Sequence, residues 1–169
     1  RAESADHRAT VLVVDDNAAI RHYITLSLAE HYRVLTASDG EEGLRLVRDE
    51  APDIVISDIV MPRIDGIELC RRIKQEIATC HIPVILLTAK DLLMDRTEGY
   101  AAGADSYITK PFSSSLLESR IRNLLDMRRR LVEQLSSTSH KRQAQAMDTL
   151  GALDNEFLHR LNELIDREL

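Results

Sequence analysis

The sequence has 169 residues, of which 44% are apolar and 30% are charged, and its formal net charge is −6. This length and apolar content suit one full-sized domain with an appendage rather than two independent cores. The net charge lies entirely in residues 1–127, with 15 basic and 21 acidic side chains, because residues 128–169 hold 7 of each. An acidic domain disfavours direct binding to nucleic acid, so we expect cations and proteins as its partners.

The cysteines and the apolar runs indicate the compartment. Cys70 and Cys80 lack C-x-x-C spacing, and no apolar run reaches the length of a membrane span or of a signal peptide core. We therefore expect reduced thiols, a cytoplasmic location and no membrane contact by this segment. Residues 1–9 are polar and begin without Met, which predicts a linker inside a longer polypeptide.

Short apolar runs rich in β-branched residues alternate along the chain with stretches of helical periodicity. The runs are Val11–Val14, Tyr32–Thr36, Ile54–Ser57, Ile82–Leu87 and Ser106–Ile108. Strands joined through helices run parallel with right-handed crossovers, so this repeat predicts a doubly wound α/β fold. We expect a parallel sheet of these five strands in the flavodoxin-like order 2-1-3-4-5, followed by a C-terminal helical extension.

Apolar stripes mark the helices that would cover this sheet. They comprise Ile20, Ile24 and Leu28 in the first helical stretch and Leu69, Ile73 and Ile77 in the third. Each stripe predicts a helix with one buried face.

The helical stretch after the last strand begins near Ser113–Ser115, a cluster of N-cap residues, and outlasts the sheet. Its apolar residues are Leu117, Ile121, Leu124, Leu125, Leu131 and Leu135. Ser136–Ser139 predicts a break, and Asp154 predicts the N-cap of a last amphipathic helix. We assign residues 10–130 to the folded domain and residues 131–169 to a helical linker toward an output domain.

Polar residues stand at the carboxyl ends of the predicted strands, where open parallel sheets bind their ligands. The first strand is followed by Asp15 and Asp16, the third by Asp58, the fourth by Thr88 and the fifth by Lys110. The expected strand order makes these ends neighbours, and three converging carboxylates would repel one another unless a cation neutralises them. Mg²⁺ suits this oxygen-rich set better than Ca²⁺ or zinc.

A carboxylate can attack phosphorus and form an aspartyl phosphate if the charge developing on the phosphoryl oxygens is neutralised. Asp58 is the best candidate nucleophile, because it stands between the acid pair and the side of the sheet that carries Thr88 and Lys110. Mg²⁺, the Lys110 ammonium and the Thr88 hydroxyl could each cover one oxygen, leaving Asp15 and Asp16 to serve the metal.

Several motifs, in this order, resemble the receiver-domain signature of response regulators in bacterial two-component signalling. They are Val11–Asp16, Asp58–Pro62 with Asp65 and Gly66, Leu87–Ala89 and Lys110–Phe112. The similarity covers residues 10 to about 130. It implies a receiver that accepts a phosphoryl group from the phosphohistidine of a sensor kinase onto Asp58, an autocatalytic phosphoacceptor rather than an enzyme.

The resemblance also implies a metal site, carried over position by position. Asp16, Asp58 and the Val60 carbonyl would bind Mg²⁺ directly, and Asp15 would contribute through water. Mg²⁺ is the one cofactor that the resemblance implies.

A switch is implied in the same way. In such receivers the hydroxyl at the position of Thr88 moves toward the phosphoryl group, and the aromatic side chain at the position of Tyr107 turns inward. Pro111 stands where the family has a cis peptide that aims the lysine, here Lys110.

Alternative functions use similar residues. A haloacid-dehalogenase-like phosphohydrolase needs Asp-x-Asp after the first strand, but Asn17 stands where its second acid should be if Asp15 is the nucleophile. A flavodoxin-like FMN carrier needs a phosphate loop rich in hydroxyls rather than acids. A phosphorylation-independent interaction module would show lost carboxylates, whereas the acid set here is intact.

The C-terminal segment indicates a context. Residues 153–169 resemble the lead-in to an AraC-type DNA-binding region in hybrid two-component regulators. We therefore expect a receiver within a membrane-bound hybrid histidine kinase, or alternatively one from a separate response regulator. Its partners would be a histidine kinase in cis or in trans, a second phosphorylated copy, and DNA only through an output domain.

Overall fold

The structure is a computed structural model that describes residues 8–89 and 100–148, together with residues 160 and 163. Within residues 100–148, side chains are described as far as residue 136. The chain divides into two compact units, Arg1–Leu125 and Asp126–Leu169. Across these described ranges, no helix combines the length and apolar character that a membrane crossing requires.

The described residues form five strands and four helices, which alternate as far as β4. They are β1 (Thr10–Val14), α1 (Ala18–Leu28), β2 (Arg33–Ala37), α2 (Gly40–Glu50), β3 (Ile54–Asp58), α3 (Gly66–Gln75), β4 (Val84–Thr88), β5 (Ser106–Thr109) and α4 (Ser114–Asp148). The strands form one parallel sheet in the order β2-β1-β3-β4-β5. The predicted fold class, strand order and C-terminal helix are confirmed.

Apolar side chains bury both faces of the sheet, because successive strand residues point to opposite sides. Every residue of β1, β3 and β4 is buried. One layer of the core joins alternate strand residues to helices α1 and α4, and the other joins the remaining strand residues to α2 and α3. The continuous apolar strands of the sequence thus reflect a sheet covered on both sides.

Two strands begin later than the sequence pattern predicts. The Tyr32 N–H donates to the Leu28 carbonyl at 2.9 Å, so Tyr32 still belongs to the turn that ends α1. The Ile82 N–H donates to the Thr79 carbonyl at 3.0 Å, and Pro83 has no N–H to offer. Apolar character alone could not separate these turn residues from the strands.

The predicted stripe of α1 is confirmed, whereas that of α3 is only partly right. Leu69 and Ile73 are fully buried, but Ile77 is 55% exposed, so its place on the stripe was wrong. Helix α3 ends at Gln75, and Glu76 is extended (φ −89°, ψ 130°), which takes Ile77 off the helical face.

Helix α4 is longer than predicted. The Ser113 hydroxyl accepts the Leu116 N–H at 3.1 Å and confirms the predicted cap. The break expected at Ser136–Ser139 is wrong, because the helix continues to Asp148; serine and threonine cost a helix only about 0.5 kcal/mol each relative to alanine. Of the helix expected after Asp154, only Arg160 and Glu163 are described, and both are helical. The domain boundary at residue 130 stays a prediction.

Candidate functional site

Three carboxylates meet at the carboxyl end of the sheet. Val14 of β1 pairs with Ser57 of β3, so the next residues, Asp15 just after β1 and Asp58 at the end of β3, stand side by side. One carboxylate oxygen each from Asp15, Asp16 and Asp58 lies within 4.8 Å of the others. Asp15 is fully buried and Asp58 is 8% exposed, while Asp16 faces solvent. The predicted acidic cluster is therefore present.

Lys110 reaches this cluster from the far side of β4. Its Nζ lies 3.1 Å from Asp58 Oδ1 and 3.8 Å from Asp15 Oδ2. The Lys110 N–H donates to the Thr88 carbonyl at 2.7 Å, and the Lys110–Pro111 peptide bond is cis, as the resemblance implied. One ammonium against three carboxylates leaves the site with a net negative charge.

The Asp15 carboxylate is only half satisfied. Its Oδ1 accepts the Asn17 N–H at 2.9 Å, whereas its Oδ2 is buried without a hydrogen-bond partner in the described part of the chain. Burial raises the pKa of Asp15, and the charges of Asp58 and Asp16 raise it further against the opposing effects of the Asn17 N–H and Lys110. An orphaned oxygen among like charges is where a hard cation is favoured, so these residues fit Mg²⁺.

Asn17, named above only as a departure from Asp-x-Asp, has a capping role that leaves the acid pair available to bind a metal. Its side-chain oxygen accepts the N–H groups of Ala19 at 2.9 Å and Ile20 at 3.4 Å, which makes it the N-cap of α1. The acid pair is therefore not needed as the cap. Asparagine directly before a helical stretch was the signal that could have identified it.

Gly66 lets the start of α3 approach the strand that carries Asp58. A Cβ at this position would lie 2.1 Å from the Asp58 carbonyl oxygen, inside any real contact. The Gly66 N–H donates to the Ile59 carbonyl at 2.9 Å. The glycine in the motif therefore has a steric reason.

Thr88 and Tyr107 occupy neighbouring strands. Thr88 is 2% exposed at the end of β4, and its hydroxyl donates to the Ala89 carbonyl at 3.2 Å. Tyr107 of β5 is 8% exposed, and its ring meets the ring of Tyr100 edge to face, with the centroids 4.7 Å apart. Thr88 on β4 and Asp58 on β3 stand on adjacent strands. The side chain of Val60, two residues after Asp58, is 66% exposed.

The parallel sheet and its strand-end acids with a lysine define the class of α/β receiver proteins. The family model for the response regulator receiver domain matches residues 11–122. The chain belongs to this family. Receiver domains are phosphoacceptors of two-component phosphorelays rather than classical enzymes, and they generally bind Mg²⁺ at an acidic pocket such as the cluster described above.

Relatives and solved structures agree with this assignment. The chain is 36% identical to "Histidine kinase P4" of Formosa agariphila over 94% of this chain and 12% of that protein. It is 43% identical to transcriptional regulatory protein AfsQ1 of Streptomyces coelicolor over 69% of this chain and 51% of that one. A receiver domain of a signal transduction histidine kinase from Syntrophus aciditrophicus has a TM-score of 0.66 at 34% identity, covering 70% of this chain and 90% of that one. The chain thus spans about half of the length of AfsQ1 and a smaller part of histidine kinase P4.

Proposed function

We propose that Asp58 accepts a phosphoryl group from the phosphohistidine of a sensor kinase, with Lys110, Thr88 and the acid pair completing the site. The observation that carries this proposal is the contact of Lys110 Nζ with Asp58 Oδ1 at 3.1 Å, beside three carboxylates that lie within 4.8 Å of one another. A nucleophile, a cation for the transferred group and a place for a metal are thereby close together.

In the proposed transfer, an Asp58 oxygen forms a bond to phosphorus while the bond from phosphorus to the histidine nitrogen breaks, and the imidazole keeps the electron pair. The Lys110 ammonium neutralises one phosphoryl oxygen. The Thr88 hydroxyl exchanges its bond to the Ala89 carbonyl for one to a second phosphoryl oxygen, and Tyr107 is the aromatic partner of this switch. The cis Lys110–Pro111 peptide aims the lysine.

Asp16, Asp58 and the Val60 carbonyl would hold Mg²⁺, with Asp15 contributing through water. When bound, Mg²⁺ would supply positive charge to the phosphoryl oxygens and relieve the repulsion within the acid cluster. The fit is supported by the buried Asp15 Oδ2, which lacks a hydrogen-bond partner among the described residues.

We further propose that the receiver belongs to a hybrid histidine kinase with a transcriptional output domain. The similarity to the Formosa agariphila protein extends over 159 residues, beyond the family match at residues 11–122. Its partners would be a histidine kinase in cis or in trans, a second phosphorylated copy, and DNA through the output domain. The AraC-like character of residues 153–169 belongs to this proposal, as does a cytoplasmic location for the receiver.

The test is intact mass spectrometry after treatment with acetyl phosphate, a small phosphodonor, and MgCl₂. We expect one phosphate adduct that hydroxylamine removes. It should be absent from Asp58→Asn and from wild type in EDTA, but present in Asp49→Asn, a matched change at an exposed position of α2.

Two results would contradict the proposal. A wild type that forms no adduct would favour a phosphorylation-independent interaction module. Steady release of phosphate at many equivalents per chain, without an accumulating adduct, would favour a phosphohydrolase.

A further inference from the structure

Arg21 lies one turn into α1 and reaches back to the acid pair. Its Nη1 donates to the backbone carbonyl oxygen of Asp15 at 2.6 Å. This carbonyl belongs to the peptide group that joins Asp15 to Asp16. A charged donor therefore holds the peptide plane between the two carboxylates.

Two further hydrogen bonds shape this turn. The Asp15 N–H donates to the Ala37 carbonyl at 3.1 Å, and the Asp15 side chain accepts the Asn17 N–H at 2.9 Å. The first bond holds Asp15 against β2, and the second closes a turn around the Asp15–Asp16 peptide group without bonding to its carbonyl oxygen, which is the atom that Arg21 holds. The Asp16 carboxylate is exposed, so its direction depends on the backbone that carries it.

We propose that Arg21 is a positioning residue for Mg²⁺: by fixing the Asp15–Asp16 peptide, it orients the acid pair for the metal. This inference rests on the proposed function, because it assigns Arg21 a part in the same metal-dependent site. Arg21 would touch neither the metal nor the phosphoryl group.

The alternative is that Arg21 is only a positive charge near the cluster, and the two roles predict opposite signs. Removing a positive charge beside three carboxylates should strengthen the binding of a cation by Coulomb attraction. Losing the orientation of the acid pair should weaken it. The sign of the change in Mg²⁺ affinity therefore separates the two.

The experiment is a titration of ¹⁵N-labelled chain with MgCl₂, followed by amide chemical shifts in NMR spectra. For Arg21→Met we expect the Kd for Mg²⁺ to rise about tenfold, the lower end of the effect of partners outside the first coordination shell. Arg21→Lys keeps a charged donor and should lose less. Arg45→Met removes the same charge from an exposed position of α2 and should bind Mg²⁺ like wild type.

A second measurement is the MgCl₂ concentration that gives half-maximal phosphorylation by acetyl phosphate. It should rise in Arg21→Met by the same factor as the Kd, with an unchanged rate at saturating MgCl₂, and the amide spectra show that the variant is folded. If Arg21→Met does not fold, Arg21→Lys carries the test with a smaller rise.

The inference is overturned if folded Arg21→Met binds Mg²⁺ as tightly as wild type or more tightly. In that case wild type would still bind Mg²⁺ and form the adduct, and the proposed function would stand. A wild type that does neither would overturn both.

Discussion

The buried Asp15 carboxylate destabilises the folded protein when no metal is bound. It is fully buried, its Oδ2 has no hydrogen-bond partner among the described residues, and Asp58 and Asp16 stand beside it. The Lys110 ammonium, 3.8 Å from Oδ2, offsets only part of this effect, so the buried charge destabilises the fold until a further cation is bound. The same feature that prepares the site for metal thus weakens the metal-free protein.

Replacing Asp15 by Asn should therefore stabilise the metal-free chain. Burial raises the pKa of Asp15 above 3.8, so between 3.8 and the raised pKa the folded chain binds more protons than the unfolded chain. The free energy of unfolding contributed by Asp15 consequently falls as the pH rises through this window. In urea titrations with EDTA, the free energy of unfolding of Asp15→Asn should be higher than that of wild type at pH 7. The difference between the two should shrink toward pH 3.

Saturating MgCl₂ should reduce this difference in free energy of unfolding or reverse its sign. A ligand of the folded state stabilises most the protein that binds it more tightly, which here is wild type. A variant less stable than wild type in EDTA at pH 7 would contradict the electrostatic account of Asp15. Circular dichroism at both pH values is a sufficient measurement.

At the residue scale, the site was predictable where topology alone fixes position. Asp15, Asp58 and Lys110 stand at strand ends, and parallel strands in a known order bring their carboxyl ends together. Arg21 was not predictable, because its contact depends on how a long side chain folds back over one helical turn. The pattern of residue types does not encode that rotamer.

At the element scale, the packing of α3 on the end of β3 depends on one missing side chain. In Gly66→Ala the new Cβ would lie 2.1 Å from the Asp58 carbonyl oxygen, so the helix or the strand end must move. We expect the free energy of unfolding to fall by roughly 1–3 kcal/mol, as overpacking usually costs. Urea denaturation measures this change. Slower phosphorylation of the variant would show that the strand end, and Asp58 with it, has moved rather than the helix.

Helix propensity alone predicts that Gly66→Ala raises the free energy of unfolding instead of lowering it. Alanine is favoured over glycine in a helix by up to about 1 kcal/mol. A more stable Gly66→Ala chain would therefore show that the close approach of α3 to β3 is not required.

Element centres were predictable from apolar periodicity, but their ends were not. The first residues of β2 and β4 are set by single hydrogen bonds that hold Tyr32 and Ile82 in the preceding turns. The apolar character of these two residues does not reveal such bonds. Ser136–Ser139 predicts a break because serine and threonine are common in turns. In α4 they are helical, since propensity is a weak preference that context overrides.

At the scale of the whole molecule, the core that supports the site lies within residues 11–125. Among the residues whose side chains the structure describes, all members of both core clusters fall in this range. A fragment of residues 1–130 should therefore form the acetyl phosphate adduct at the rate of the full chain. Its free energy of unfolding should be within about 1 kcal/mol of the full chain.

Intact mass spectrometry and urea denaturation of the two chains test the predicted boundary at residue 130. Equal rates and stabilities would support residues 131–169 as a linker. A fragment that unfolds, or that loses the adduct while wild type keeps it, would place part of residues 131–169 within the receiver.

The order of the strands has a consequence for how the protein is made. Asp15 and Lys110 stand 3.8 Å apart in space but near opposite ends of the folded domain in sequence. Contacts between such distant positions form late, because the chain loses the entropy of closing a long loop before the contacts can stabilise it. A nascent chain that still lacks the residues after β5 has its acids but not its lysine, so the proposed phosphoacceptor site is complete only after synthesis has passed that strand.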